Sequence, residues 1–396
     1  MQLSPRLQNL KPSATIAMSV KARELKAEGR DIISLSLGEP DFETPEFIKE
    51  AAIQAIRDNY NQYTPVGGYL ELKEAISKKF KRDNKLDYKP SQIVVSTGAK
   101  QSIFNIIQCM VSEGDEVILP SPYWVSYADM VTLAGATVKE FRTGYEQDFK
   151  MTPQQLEEAI TPKSKILLYS SPCNPSGSVY SREELAEIAK VVAKHPNLLV
   201  ISDEIYEHIT FDQEPVSIAS FPEIYDQVAT VNGLAKGFAM TGWRIGYMGA
   251  PEWLAKACEV FQGQVTSGTN SIAQRAAITA MEADPSEIKY MTEAFHKRRD
   301  IVIELAREIK GFDVSVPQGA FYIFPDVSKL FGKTLQGVEI NTANDLAMYL
   351  LEYANVATVS GESFGSKNCI RLSYAASEKE LREAFRRIKE AINNYC

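Results

Sequence analysis

Uninterrupted apolar runs of strand length constrain this chain most. Ile166-Leu167-Leu168-Tyr169 and Leu198-Leu199-Val200-Ile201 offer no polar face to water, so each predicts a strand covered on both sides. Helix-length amphipathic segments separate such runs. Ile103, Ile106, Ile107 and Met110, for example, recur at i, i+3, i+4 and i+7, the stripe of a helix packed on one face. Strands are predicted over 32–37, 93–96, 116–119, 137–141, 165–170, 198–202, 227–232 and 246–249. Helices are predicted over 45–59, 70–81, 101–111, 125–134, 153–160, 182–194, 271–281, 287–309, 345–354 and 379–393. Strands alternating with helices imply an α/β domain around a mostly parallel central sheet. From about residue 285 the order changes to a long helix, apolar runs over 312–316 and 321–324, a polar stretch, a helix and a closing strand–helix unit. That pattern predicts a second, smaller α+β domain.

Charge and cysteine content exclude several function classes. The 43 Lys and Arg against 51 Asp and Glu give a net charge of −8, with no basic stripe for nucleic acid. The densest basic run, Lys78-Lys79-Phe80-Lys81-Arg82, reads as a solvated helix end whose charges compensate the helix dipole. Cys109, Cys173, Cys258, Cys369 and Cys396 are odd in number and widely spaced, which argues for a reducing compartment rather than a disulfide framework. The three histidines form no metal-ligand spacing, so no metal site is expected. The N-terminus lacks an apolar signal core, and no run approaches the roughly 18 apolar residues of a membrane span. A cytoplasmic protein is expected.

Chemistry-bearing residues cluster where predicted strands end, the place where open α/β sheets bind ligands. Ser171-Pro172-Cys173-Asn174-Pro175-Ser176-Gly177 follows one strand, and Ser202-Asp203-Glu204-Ile205-Tyr206 closes the next. Gly233-Leu234-Ala235-Lys236-Gly237-Phe238 follows a third and leads to Met240-Thr241-Gly242-Trp243-Arg244-Ile245-Gly246-Tyr247. Taken singly, these are a turn, a helix cap and a surface lysine. Together they meet one chemical requirement. A protected lysine forms a Schiff base with an aldehyde. A carboxylate keeps a pyridine nitrogen protonated, and an arginine with a helix N-terminus clamps a phosphate. Thr97-Gly98-Ala99-Lys100-Gln101 supplies that N-terminus.

These segments, in this order, with Arg371-Leu372-Ser373-Tyr374 near the end, resemble the class I, fold-type I pyridoxal-phosphate aminotransferases. Among them the likeness is greatest to the bacterial aspartate aminotransferases of the aspartate/prephenate subgroup. It runs from Lys11-Pro12-Ser13-Ala14-Thr15 to Tyr374. It implies a large cofactor-binding domain over 45–285 and a small domain built from 1–44 and 286–396. The resemblance makes Lys236 the Schiff-base lysine and proton carrier, and Asp203 the partner of the pyridine nitrogen. It puts Tyr206 and Asn174 on the cofactor's phenolic oxygen and Trp124 against its ring. Arg244, Gly98 and Ala99 would meet the phosphate, as would Tyr63 from a neighbouring subunit in a homodimer. Arg371 and Gly38 would bind the substrate's α-carboxylate, with Trp124 and Asn174 also facing substrate. It further implies cis bonds at Ser121-Pro122 and Asn174-Pro175.

Three positions depart from the common pattern. Ser176 replaces a threonine, and Gly233 stands where many relatives carry a phosphate-binding serine. The stretch 261–268 lacks the arginine with which animal-type members bind a distal carboxylate. In the resembled subgroup that task falls to a lysine at the position of Lys100, with Lys11 and Thr15. The implied activity is amino transfer between L-aspartate and 2-oxoglutarate, extending to prephenate in some members. An aromatic- or alanine-type aminotransferase is the alternative, and a non-enzymatic cofactor-sensing domain is a distant one.

Overall fold

In the computed structural model, described over residues 5–8, 10 and 12–395, the apolar runs assemble into one seven-stranded sheet. Its strands in chain order are β1 (Ile93–Ser96), β2 (Glu116–Ser121), β3 (Thr137–Arg142), β4 (Ser164–Ser170), β5 (Leu199–Asp203), β6 (Val228–Gly233) and β7 (Gly246–Gly249). In space they run β1-β7-β6-β5-β4-β2-β3. All neighbours pair parallel except β7, which is antiparallel to both β1 and β6. One strand reversed between two others leaves β1 parallel to β6. The C-terminal ends of β1, β2, β4, β5 and β6 therefore open on one edge. The β1, β5 and β6 strands are buried at every residue, as their continuous apolar character requires.

Local chemistry sets the helix boundaries. Ser181 accepts a hydrogen bond from the Glu184 amide at 3.2 Å, and the Glu184 carboxylate accepts one from the Ser181 amide at 2.7 Å. This reciprocal cap starts the Arg182–Ala193 helix. Ser377 and Glu380 do the same for the Glu378–Asn393 helix. Besides the single turn over Pro5–Gln8, two helices escaped the sequence reading. Ala14–Ala27 buries only Ala22 fully, so it shows no apolar stripe. Glu252–Val265 buries Leu254, Ala255, Cys258 and Gln262, a face too small and polar to register as one.

The N-terminal strand over Ile33–Ser34 pairs parallel with Val356–Ala357, far along the chain. Ile33 and Leu35 share an apolar cluster with Phe295, Phe321, Leu372 and Phe385. The run over 312–316 is no strand; it contributes a single bridge, Asp313 to Asp326. The polar stretch holds a hairpin of Lys333–Leu335 with Val338–Ile340.

Two further expectations need correction. Ser121-Pro122 is cis as expected, but the second cis bond is Ser171-Pro172 and not Asn174-Pro175. The chain turns directly at the tip of β4, so the unusual bond falls three residues earlier. Lys79 is not solvated. It is fully buried, paired with Glu207 and bonded to Asn84 Oδ1 at 2.8 Å. A wide π-type turn over Phe80–Asn84 follows the helix and brings Asn84 back to the pair. Composition hides this because one lysine of a basic run can point inward while its neighbours do not.

Candidate active site

At the edge where the strand ends open lies a cavity of about 610 Å³. Register aligns its floor. Ser170 pairs with Asp203, and Asp203 pairs with Val231, so the connections carrying Asn174, Asp203 and Lys236 emerge side by side. Asp203 is buried. It accepts a hydrogen bond from the Tyr127 hydroxyl at 2.5 Å and one from the Ile205 amide at 3.2 Å. Burial pushes its pKa up to about 6, while Tyr127, the Ile205 amide and the Lys236 charge pull the other way.

Lys236 faces the cavity from the connection after β6, and its ammonium donates to the Gly38 carbonyl at 2.5 Å. Burial lowers its pKa to about 8; Arg371 and Arg244 add to the lowering, and Glu39 and Asp203 oppose it. Tyr206 is buried, with its hydroxyl 2.8 Å from that of Tyr322. Trp124 stands edge-on to Tyr127 at 5.5 Å between ring centres.

The corner at the start of the Ala99–Met110 helix is built without side-chain bulk. Gly98 has φ +82°, and a Cβ there would lie 2.2 Å from Arg244 Nη2. The first turn of a helix leaves amides without an i−4 partner. Arg244 beside it donates to the Thr241 carbonyl at 2.8 Å. Gln262 braces the corner from below. Its carbonyl accepts from Ser96 at 2.8 Å and Asn105 at 3.0 Å, and its amide donates to the Val66 and Val95 carbonyls.

The opposite wall comes from the C-terminal part of the chain. The Arg371 guanidinium is buried and stacks 4.5 Å from the Tyr322 ring centre. Nη1 donates to Asn174 Oδ1 at 2.9 Å and Nη2 to the Ser36 carbonyl at 2.6 Å, while buried Nε has no partner among the described residues. Burial lowers its pKa, against the pull of Tyr322 and Tyr206. Lys100 sits at the rim with its ammonium 4.8 Å above the Trp124 ring. The cavity thus gathers four cations, Lys100, Lys236, Arg244 and Arg371, against two carboxylates, Glu39 and Asp203.

Of the residues singled out in the sequence, Gly38, Ala99, Lys100, Trp124, Asn174, Asp203, Tyr206, Lys236, Arg244, Arg371 and Thr15 line this one cavity, and Gly98 adjoins it. Tyr63 does not join them; its side chain is fully exposed on the surface. Lys11 lies outside the described residues. Sequence reasoning missed Tyr127, Tyr322 and Gln262. Tyr127 was traceable as the residue one helical turn after Trp124. The other two act through tertiary contacts that no local pattern encodes.

A strand-end cavity with an amine, a buried carboxylate and an excess of cations defines a site for small polyanionic molecules. The chain belongs to the aminotransferase class I and II family, whose profile matches residues 30–388. It is 48% identical over 395 residues to a bifunctional aspartate aminotransferase and glutamate/aspartate-prephenate aminotransferase of Petunia hybrida, covering 98% of this chain and 82% of that one. It is 47% identical over 392 residues to an aspartate/prephenate aminotransferase of Cereibacter sphaeroides, covering 98% of both. Among solved structures, an aspartate aminotransferase from Rhizobium meliloti superposes with a TM-score of 0.97 at 41% identity, over 100% of both chains. That of Thermus thermophilus with maleate gives 0.93 at 40% identity, over 99% of this chain and 100% of that one. No helix among the described residues is long and apolar enough to cross a membrane.

Proposed function

We propose that this aminotransferase uses pyridoxal 5'-phosphate to move an amino group between L-aspartate and 2-oxoglutarate, and that it also accepts prephenate. The observation that carries the reading is Arg371. A buried guanidinium with, among the described residues, no carboxylate beside it and no partner for Nε is costly unless a ligand supplies the anion. A substrate α-carboxylate fits that need, because two N–H groups of one guanidinium grip it in a plane.

The residues fit the cofactor. Gly98 leaves room for a phosphate that a side chain would fill, Ala99 contributes a backbone amide, and Arg244 contributes charge. Trp124 would wall the ring, and Asn174 and Tyr206 would hold its phenolic oxygen. When bound, the cofactor offers an aldehyde to an amine and a protonated pyridine that accepts the electrons of a broken Cα–H bond. Asp203 holds the proton on that ring nitrogen, and Tyr127 keeps the carboxylate oriented. Lys236 carries the Cα proton, a task suited to an amine whose pKa lies near 8. Lys100, with Thr15 and the sequence-assigned Lys11, receives the distal carboxylate.

Two structural readings accompany this one. The chain divides into a large domain over 45–285 and a small one from 1–44 and 286–396, in keeping with the Ile33–Val356 pairing. Tyr63 completes the phosphate site of a second copy in a homodimer, which gives its bare ring a partner. The four described cysteines are free, in keeping with a cytoplasmic enzyme. The test is the visible band of the loaded enzyme, followed as aspartate, arogenate, tyrosine and alanine are added separately. Bleaching by aspartate at the lowest concentration is expected. Bleaching by tyrosine or alanine in its place would assign the enzyme to the other substrate class.

A further inference from the structure

Tyr322 touches both ends of the cavity. Its strand, Tyr322–Ile323, pairs antiparallel with Ile370–Ser373, the strand that carries Arg371. The Arg371 guanidinium lies 4.5 Å from the Tyr322 ring centre, and the hydroxyl at the tip of that ring lies 2.8 Å from the Tyr206 hydroxyl. Both tyrosines are buried and both line the cavity. Gly38 closes over the same hydroxyl, where a Cβ would strike it, and the Gly38 carbonyl accepts from Lys236 at 2.5 Å. Among the described residues each phenol oxygen has the other as its only hydrogen-bond partner. A tyrosine hydroxyl has one proton to give and two lone pairs, so within the pair one oxygen donates and the other accepts. Burial holds both phenols above the ordinary tyrosine range, so both keep their protons at neutral pH.

We infer that Tyr322 is a positioning residue for amino transfer, whose hydroxyl donates to Tyr206 and so turns the Tyr206 proton toward the cavity and the phenolic oxygen of the cofactor. The inference rests on the reading of Tyr206 as a partner of that oxygen. The direction follows from counting protons. Once Tyr206 gives its single proton to an anionic oxygen, its contact with Tyr322 survives only with Tyr322 as the donor. In the reverse direction the Tyr206 proton is taken up by Tyr322, and the anionic oxygen would face a lone pair. A donor placed behind a donor also polarises it, strengthening the outer bond by about 10–30%. The ring has a separate task. It is the face on which the Arg371 guanidinium rests, a contact that does not need the hydroxyl.

The test reads the visible band of the cofactor-loaded enzyme against pH. A donor to the phenolic oxygen favours the form with more negative charge there, so it holds the midpoint of the band's change low. The charged groups around the pair are Arg371, Lys236 at 5.8 Å from the Tyr206 ring centre, and Glu39, Asp203, Arg244 and Lys100 elsewhere on the cavity wall. All are common to the wild type and the variants. Tyr206→Phe should raise the midpoint by about one to two pH units, the worth of a hydrogen bond to a charged group. Tyr322→Phe keeps the ring and removes only the hydroxyl. It should raise the midpoint by about 0.2–0.6 unit, and should add nothing where Tyr206 is already replaced by Phe. Succinate, which carries no amino group, probes the other wall by calorimetry at a pH below every midpoint. Its affinity in Tyr322→Phe should stay within about twofold of the wild type, because the ring still carries Arg371. An unmoved midpoint in Tyr322→Phe overturns the inference, as does a shift that persists undiminished in the Tyr206→Phe background. A large loss of succinate affinity in Tyr322→Phe would show that the wall itself has moved, and overturns it too. An unmoved midpoint in Tyr206→Phe removes the reading of Tyr206, and the inference goes with it.

Discussion

At the strand tips, Asp203 accepts hydrogen bonds from Tyr127 and the Ile205 amide, and Lys236 donates to Gly38. At the wall opposite, Arg371 keeps a buried Nε without a partner among the described residues, and at the rim Lys100 rests on an aromatic face with no described carboxylate within ion-pair distance. One end of the cavity is finished before any ligand arrives, and the other is left incomplete. The difference teaches where specificity resides. Under the proposed function, preorganised groups would serve a cofactor that stays, because fixed dipoles need no rearrangement at each turnover. Unpaired cations would in turn serve a substrate that comes and goes, because only an anion of the right length relieves both.

The largest expected effect breaks the finished end. Lys236→Ala removes the amine and the proton carrier together, and turnover should fall on the order of 10⁴-fold or more in a steady-state assay. A variant keeping a tenth of the rate would end the assignment. Next comes the support beneath that end. Glu207 lies in the same turn as Asp203, buried against Lys79. Burial works against its charge, but Lys79, His208 and Asn84 hold its pKa below the ordinary value. Lys79→Ala strands that carboxylate and should cost about 3–5 kcal/mol of stability by denaturant titration. Lys79→Ala combined with Glu207→Ala should cost less than the sum of the singles. The sign with pH follows from the lowered Glu207 pKa. Its contribution is present above the unfolded carboxylate value and fades as pH falls through the folded one. The smallest effect sharpens the incomplete end. Lys100→Ala should lower kcat/KM for aspartate by about 10- to 150-fold, the value of a charge-assisted hydrogen bond of roughly 1.5–3 kcal/mol, and spare alanine. Equal loss for both amino acids would move Lys100 to a cofactor or folding role.

Legibility in the sequence followed the same division. The finished end is built from short contiguous segments at strand tips, so Asp203, Lys236 and Arg244 could be placed from local pattern and chemistry, and Asn174 by the family resemblance. The residues that orient them could not. Tyr322 reaches Tyr206 across 116 positions of chain, and Gln262 reaches Ser96 across 166. Such contacts exist only once the sheet has formed. Lys79 was misread for a related reason: its partner Glu207 lies 128 residues away, so composition saw a basic run where the fold has one buried ion. The parallel core itself was plain, because strands covered on both faces leave no polar alternation to misinterpret.

The reversed strand β7 has a consequence for how much change its neighbourhood tolerates. The chain leaves the sheet at Gly233 and re-enters at Gly246, and these two residues are paired directly. Everything over 234–245, Lys236 and Arg244 included, is a closed loop pinned at both ends on one edge. A parallel crossover instead returns along the whole sheet and re-enters at the far edge, where added length can spill into solvent. Loop-closure entropy would forgive an insertion in either kind of connection. Geometry would not forgive one here, since extra residues between Lys236 and Arg244 change the span from amine to guanidinium. Insertions are therefore expected to accumulate on the far edge of the sheet, while this loop holds its length.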